Sequence, residues 1–120
     1  MIHLDYRDAR PIYEQVKDGL RKLMVTGALR GGDKLPSVRT LAMELAINPN
    51  TIQRAYAELE GEGYIYSIPG KGSFAAGAAD GDDSHKKELL ERVRAAAAEL
   101  KYLGVSAEEL TALVKEAYET

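Results

Sequence analysis

The chain has 120 residues, 45% apolar and 29% charged, with a formal net charge of −3 and no cysteine. A chain of this length supports one compact domain carrying a small appendage, and no apolar run reaches the roughly 20 residues a membrane-spanning helix needs, so a transmembrane role is excluded. Without cysteine there is no disulfide framework, thiolate nucleophile or cysteine-based zinc site, and residues 1–8 lack the basic, apolar and small-residue succession of a secretory signal; a cytoplasmic location is the expectation.

The average charge conceals a division. Residues 1–76 hold ten Lys/Arg against nine Asp/Glu, whereas 77–120 hold six against ten. The acid is concentrated in the carboxyl-terminal part, and for a nucleic-acid binder the distribution of charge matters more than its sum. His3 and His85 fall in stretches that read as terminus and linker, neither with an i, i+4 partner, so no metal, cofactor or catalytic role is expected of them.

Residues 11–26 place Tyr13, Val16, Leu20, Leu23 and Met24 at helical spacings, with Glu14, Lys17, Asp18, Arg21 and Lys22 between them on the solvated side. Pro11 suits the first turn and Gly27 the stop. Residues 30–36 predict a turn and at most a very short strand, ended by Pro36. Ser37 then caps a second helix through Leu45, with Val38, Leu41, Ala42 and Leu45 on one face and Arg39 and Met43 directed elsewhere. Asn48-Pro49 announces a third helix after only two further residues. Along it Ile52, Ala55, Tyr56 and Leu59 share a sector about 100° wide, opposite a polar, amide-rich face of Asn50, Gln53, Arg54, Ala57 and Gly61. Two helices joined so tightly, the second exposing Asn, Thr, Gln and Arg near its start, match a helix-turn-helix whose second helix enters a major groove.

Residues 64–67 and 73–75 are β-prone and flank the turn Ile68-Pro69-Gly70-Lys71-Gly72, predicting a hairpin whose glycine tip lets Lys71 approach a phosphate backbone. A nucleotide-binding P-loop is excluded, because its glycine spacing and Lys-Ser/Thr pair are missing. Residues 77–84 are small and acidic and read as a linker. Beyond it, 85–103 carry the stripe Leu89, Val93, Ala96, Leu100 and Leu103, closed by Gly104. Ser106 to Glu109 form a capping box before Leu110, Leu113, Val114 and Ala117. The simplest reading is a helical hairpin. Its apolar stripes exceed what two short helices can bury alone, which predicts a second copy of the chain completing the core.

The succession Pro11-Ile-Tyr-Glu-Gln15, Gly32-Asp-Lys-Leu-Pro-Ser-Val-Arg39, Leu41-Ala42, Asn48-Pro-Asn-Thr51, Ala55-Tyr56, Leu59-Glu60 and Gly70-Lys-Gly72 strongly resembles the winged helix-turn-helix domain of GntR-family bacterial transcriptional regulators, over about residues 9–76. The short helical tail resembles that of the YtrA subfamily. The resemblance implies operator contacts from Arg39, then Asn48, Asn50, Thr51 and Gln53, then Gly70 with Lys71 beside it. The sequence departs from better-known members, which have arginines at the positions of Pro49 and Gln53. Arg54 is added from the helical wheel alone. The resemblance also implies that the tail dimerises, and the apolar stripe of Leu89, Val93, Leu100, Leu110, Leu113 and Val114 is the surface expected to do so.

The expectation is therefore a mainly α protein with a small β wing: a winged helix-turn-helix domain (1–76), a linker (77–84) and a two-helix dimerisation tail (85–120). It would act as a cytoplasmic homodimeric repressor of double-stranded operator DNA, with no enzymatic activity, cofactor or membrane partner. A small-molecule effector at the dimer seam is left open, since no cluster of ligand-type residues marks it. Two rivals share the sequence: a winged helix serving as a protein-interaction module, and a small hydrolase using His3 or His85 with an acidic partner.

Overall fold

A computed structural model describes residues 2–77 and 83–119. The elements run α1 (Ile12–Val25), α2 (Val38–Leu45), α3 (Pro49–Gly61), β1 (Ile65–Ile68), β2 (Gly72–Ala75), α4 (Asp83–Tyr102) and α5 (Ala107–Glu119). The chain divides into two units, Met1–Asp83 and Ser84–Thr120. Of the predicted linker, residues 78–82 lie outside the described residues.

In the first unit α1 begins one residue later than expected. Pro11 stands at the cap position (φ −56°, ψ 151°), and its carbonyl accepts from the backbone N–H groups of Glu14 and Gln15 at 3.1 and 3.3 Å. Val16 and Leu20 are buried as the spacing predicts, but so are Gln15 and Lys17. The solvated position expected for Lys17 is overturned by tertiary structure. Its ammonium reaches Glu58 and Glu62 of α3, each at 2.8 Å. Burial pushes the Lys17 pKa down, and the hydrogen bonds it donates to the Glu58 and Glu62 carboxylates outweigh that, holding the group above its ordinary value. Gln15 is satisfied internally, accepting from the Asp5 N–H at 2.8 Å and donating to the carbonyls of Asp5 and Arg10.

Ser37 caps α2 by accepting from the Thr40 N–H, and Asn48 caps α3 by accepting from the Asn50 N–H at 2.8 Å, with Pro49 at the first helical position. The turn between the two helices passes through Ala46 in the left-handed region (φ 56°). Leu41, Ile52, Ala55 and Leu59 are fully buried where these helices pack on each other and on α1. The wing pairs Ile65 with Ala75, Tyr66 with Phe74, Ser67 with Ser73 and Ile68 with Gly72. Ile68 and Gly72 thus belong to the ladder rather than the turn, and the tip contracts to Pro69, Gly70 and Lys71. The predicted very short strand is a single bridge between Lys34 and Phe74, flanked by Leu35 N–H to Ser73 O and Ala75 N–H to Asp33 O, both 2.8 Å.

Tyr56 fixes α3 to the start of α2: its hydroxyl donates to the Pro36 carbonyl at 2.7 Å. Burial, reinforced by Glu44, pushes the phenol from 10.0 up to about 12. The raised value contributes stability that is complete below about pH 10 and is lost as pH rises towards 12. Tyr56→Phe is expected to destabilise the first unit by about 1–2 kcal/mol at neutral pH, because the partly buried Pro36 carbonyl loses its donor. Urea unfolding at pH 7 and pH 11 checks this, and the difference between variant and wild type should narrow at the higher pH.

In the second unit Ser106 accepts from the Glu109 N–H at 3.1 Å, as the capping pattern predicts, and Gly104 (φ 92°) ends the turn after α4. No described residue of this unit is buried. Leu89, Leu100 and Leu110 are half-buried, while Val93, Leu113 and Val114 are exposed. The predicted apolar stripes are formed, and a single chain covers them only in part.

Candidate nucleic-acid interface

The amino end of α3 presents the predicted polar face. Asn50 and Gln53 are exposed and Thr51 is half-buried. The Asn48 side-chain oxygen is committed to the cap, so this residue sets the start of the helix as well as lying beside its exposed face. Arg39 is exposed on α2, off the face on which Leu41 and Ala42 are buried. Gly70, at φ 77°, occupies a backbone region that disfavours a Cβ, and nothing lies within 4 Å of where one would stand, so the tip is free to approach a partner closely. Lys71 follows it, exposed.

The wing is held in place from α3. The Glu60 carboxylate accepts from the Ser67 N–H at 3.2 Å and from its hydroxyl at 3.3 Å. The hairpin that carries Gly70 and Lys71 is thereby tied to the carboxyl end of the helix that carries Asn50 and Gln53.

Arg54 has a different environment from its neighbours on the wheel. Its guanidinium lies 3.7 Å from the centroid of the Tyr13 ring and its Nε donates to Glu58 at 3.1 Å. The Lys17 hydrogen bond, with that of Arg54, holds the Glu58 carboxyl below its ordinary range against the opposing effect of burial. A shallow groove of about 330 Å³ lies between Pro11, Ile12 and Tyr13 on one side and Asn50, Thr51 and Arg54 on the other. Helical-wheel reasoning, which sees one element at a time, gives no signal for the Tyr13 ring.

The cations of the first unit divide by partner. Arg10 is bonded to Asp8 and Asp18, Lys17 to Glu58 and Glu62, Arg21 to Asp18, and Arg54 to Glu58. Arg7, Lys22, Arg30, Lys34, Arg39 and Lys71 are exposed and make no ion pair among the described residues, and of these Lys34, Arg39 and Lys71 stand on the segment before α2, on α2 and at the tip of the wing. Lys34 and Lys71 line one open groove that also includes Ser37, the cap residue of the helix carrying Arg39. Charge left uncompensated in this way is available to an anionic partner. Among the described residues there is no cluster of His, Asp and Glu suited to a metal, and no helix long and apolar enough to cross a membrane.

A tight inter-helical turn, an exposed amide-rich start to the second helix and a glycine-tipped hairpin beside it define a winged helix-turn-helix protein, the class that lays its second helix in a DNA major groove. The chain belongs to the GntR family of bacterial regulatory proteins, whose model matches residues 12–74. It is 39% identical to the HTH-type transcriptional repressor YtrA of Bacillus subtilis (strain 168), over 97% of this chain and 91% of that protein. Its fold superposes on a transcriptional antiterminator from Listeria monocytogenes EGD-e with a TM-score of 0.81 at 34% identity, covering 100% of this chain and 90% of that one. It also superposes on AraR(DBD) in complex with an operator, with a TM-score of 0.55 at 28% identity over 62% of this chain and 89% of that one. The protein is a DNA-binding transcriptional regulator with a winged-helix fold.

Proposed function

We propose that the protein is a cytoplasmic homodimeric repressor that occupies a two-fold symmetric operator, α3 of each copy entering a major groove. The observation that carries this reading is the exposed, amide-rich start of α3, accompanied by exposed Arg39 on α2 and Lys71 at the tip of the wing, neither of which makes an ion pair among the described residues. Arg39 suits bidentate contact with a guanine edge, and Asn50 and Gln53 suit adenine. Thr51 and Asn48 complete the start of the helix, and Gly70 with Lys71 lies against the backbone. Arg54, already stacked on Tyr13 and bonded to Glu58, serves a phosphate at the rim of this face rather than a base.

The tail supplies the second copy. Leu89, Val93, Leu100, Leu110, Leu113 and Val114 lie unburied on two helices, and their area has a use when a partner's helices cover it. Repression then needs only occupancy, because bound protein excludes polymerase from the same duplex.

Selection of bound fragments from genomic DNA with the purified full-length protein tests the reading. Enriched fragments should share two inverted half-sites about one helical turn apart. Affinity for them should fall steeply with rising salt, as counterion release requires. Enrichment of no sequence, or duplex binding indifferent to salt, would favour the protein-interaction module instead.

A further inference from the structure

We infer that Lys34 is a second phosphate-binding cation of this protein, forming with Lys71 a two-point clamp on one strand of the duplex backbone in the groove between the wing and the start of α2. The inference rests on the DNA-binding reading above and adds to it a residue and a subsite outside the helix-turn-helix.

Lys34 lies in the segment before α2, where the sequence predicts a turn and at most a very short strand. The fold ties that segment to the wing through a single bridge and its flanking hydrogen bonds. Gly32 N–H donates to Ala75 O at 2.7 Å, Leu35 N–H to Ser73 O at 2.8 Å and Ala75 N–H to Asp33 O at 2.8 Å, and Lys34 bridges Phe74. The backbone of Lys34 is thus fixed to the second strand of the wing on both sides, and the base of its side chain is not free to wander. From there the stem runs across Gly72. A Cβ on Gly72 would stand 3.0 Å from the Lys34 Cε and 3.8 Å from its Nζ. The missing side chain at Gly72, whose φ is 123°, leaves the path that the lysine takes along the wing towards Lys71.

The groove these residues line has a volume of about 470 Å³ and is open to solvent along its length. Its walls include Lys34 and Lys71 as the charged groups, with Ser37, Ser67 and the backbone of Gly70 and Gly72 between them, and no Asp or Glu. Neither lysine makes an ion pair among the described residues. Two cations without carboxylate partners along an open channel with hydroxyl and glycine backbone walls match the spaced negative charges of a phosphodiester chain, which needs point charges and close approach but no base-edge geometry. A contact of this kind positions the duplex without reading it. Lys34 should therefore contribute equally to every sequence, unlike Arg39.

The test uses the full-length protein, with the selected operator duplex and a mixed-sequence duplex as probes, and reads affinity as a function of salt. Lys34→Gln should make the slope of log K against log salt shallower by about one per half-site, so about two per dimer, on both probes alike. The drop in affinity between about 50 and 200 mM salt should then shrink by roughly tenfold relative to wild type. Lys34→Arg should restore the wild-type slope. Lys34→Met, which keeps the stem over Gly72 and removes only the charge, should repeat the Gln result with an unchanged melting temperature. An unaltered slope in folded Lys34→Gln and Lys34→Met, with normal wild-type binding, overturns the inference and leaves the DNA-binding reading standing. A loss confined to the operator probe overturns it in favour of base readout. Wild-type protein that binds neither duplex removes the parent reading, an outcome distinct from both.

Discussion

Leu100→Asp combined with Leu113→Asp is expected to convert the full-length protein to a monomer and to lower operator affinity by about 10² to 10⁴, because two winged units held on one scaffold bind their half-sites at a high effective concentration. Leu100 is half-buried and Leu113 exposed within one chain, so neither carboxylate has to enter a core for the monomer to fold. In a dimer both would enter the seam, where an unpaired carboxylate costs several kcal/mol. Truncation after Ala76 should have the same effect by a different route. Among the described residues, those that are buried all fall at or before Ala75, which leaves the core of the first unit intact in the fragment. Sedimentation equilibrium on the three proteins, with operator titrations alongside, measures both quantities. A 1–76 fragment that remains dimeric and binds operator undiminished would put the dimer interface in the winged unit and require another role for α4 and α5.

Replacement of Arg39 by Ala should cost about 1 to 3 kcal/mol per half-site on the operator, and it should relax base preference at one position of each half-site. The residue is exposed, has no carboxylate partner among the described residues, and is not one of the residues that hold α2 in the core. Its removal therefore leaves folding untouched, and the whole effect should appear in binding. Lys71→Ala is the comparison: it should weaken operator and mixed-sequence duplex equally and lower the salt slope by about one unit per half-site. Competition titrations on both duplexes at two salt concentrations separate the pair. Equal losses on operator and mixed-sequence duplex for Arg39→Ala would show that it holds phosphate and that the base contacts lie on α3 alone.

The order and kinds of elements were legible in the sequence because their signals are local. Ser37, Asn48 and Ser106 each satisfy an amide two or three residues away, and Gly27 and Gly104 end helices by taking positive φ within the same turn. The buried faces of α2 and α3 were legible for a related reason, since 3.6-residue periodicity survives any tertiary arrangement that buries one side. The wing was predicted with a turn too long by Ile68 and Gly72. The glycine and proline content that marks a turn does not say where pairing resumes, and here the ladder continues through Gly72 because Lys34 and the neighbouring loop backbone support that strand from its other side.

The sequence by itself determined the winged helix-turn-helix pattern, the polar face of α3, the glycine-lysine tip of the wing and a tail with more apolar surface than one chain buries. Tertiary structure alone decided which charges are spent and which are free. Lys17 finds Glu58 and Glu62 at 41 and 45 positions' distance in the chain, Arg54 turns onto a ring from α1, and Lys34 is carried along the wing by a strand bridge to Phe74. Helical periodicity sorts residues by hydrophobicity around one axis and assigns every charged side chain to solvent. An ion pair or a cation-ring contact depends on distances between elements far apart in sequence, and those distances exist only once the helices and the wing have packed.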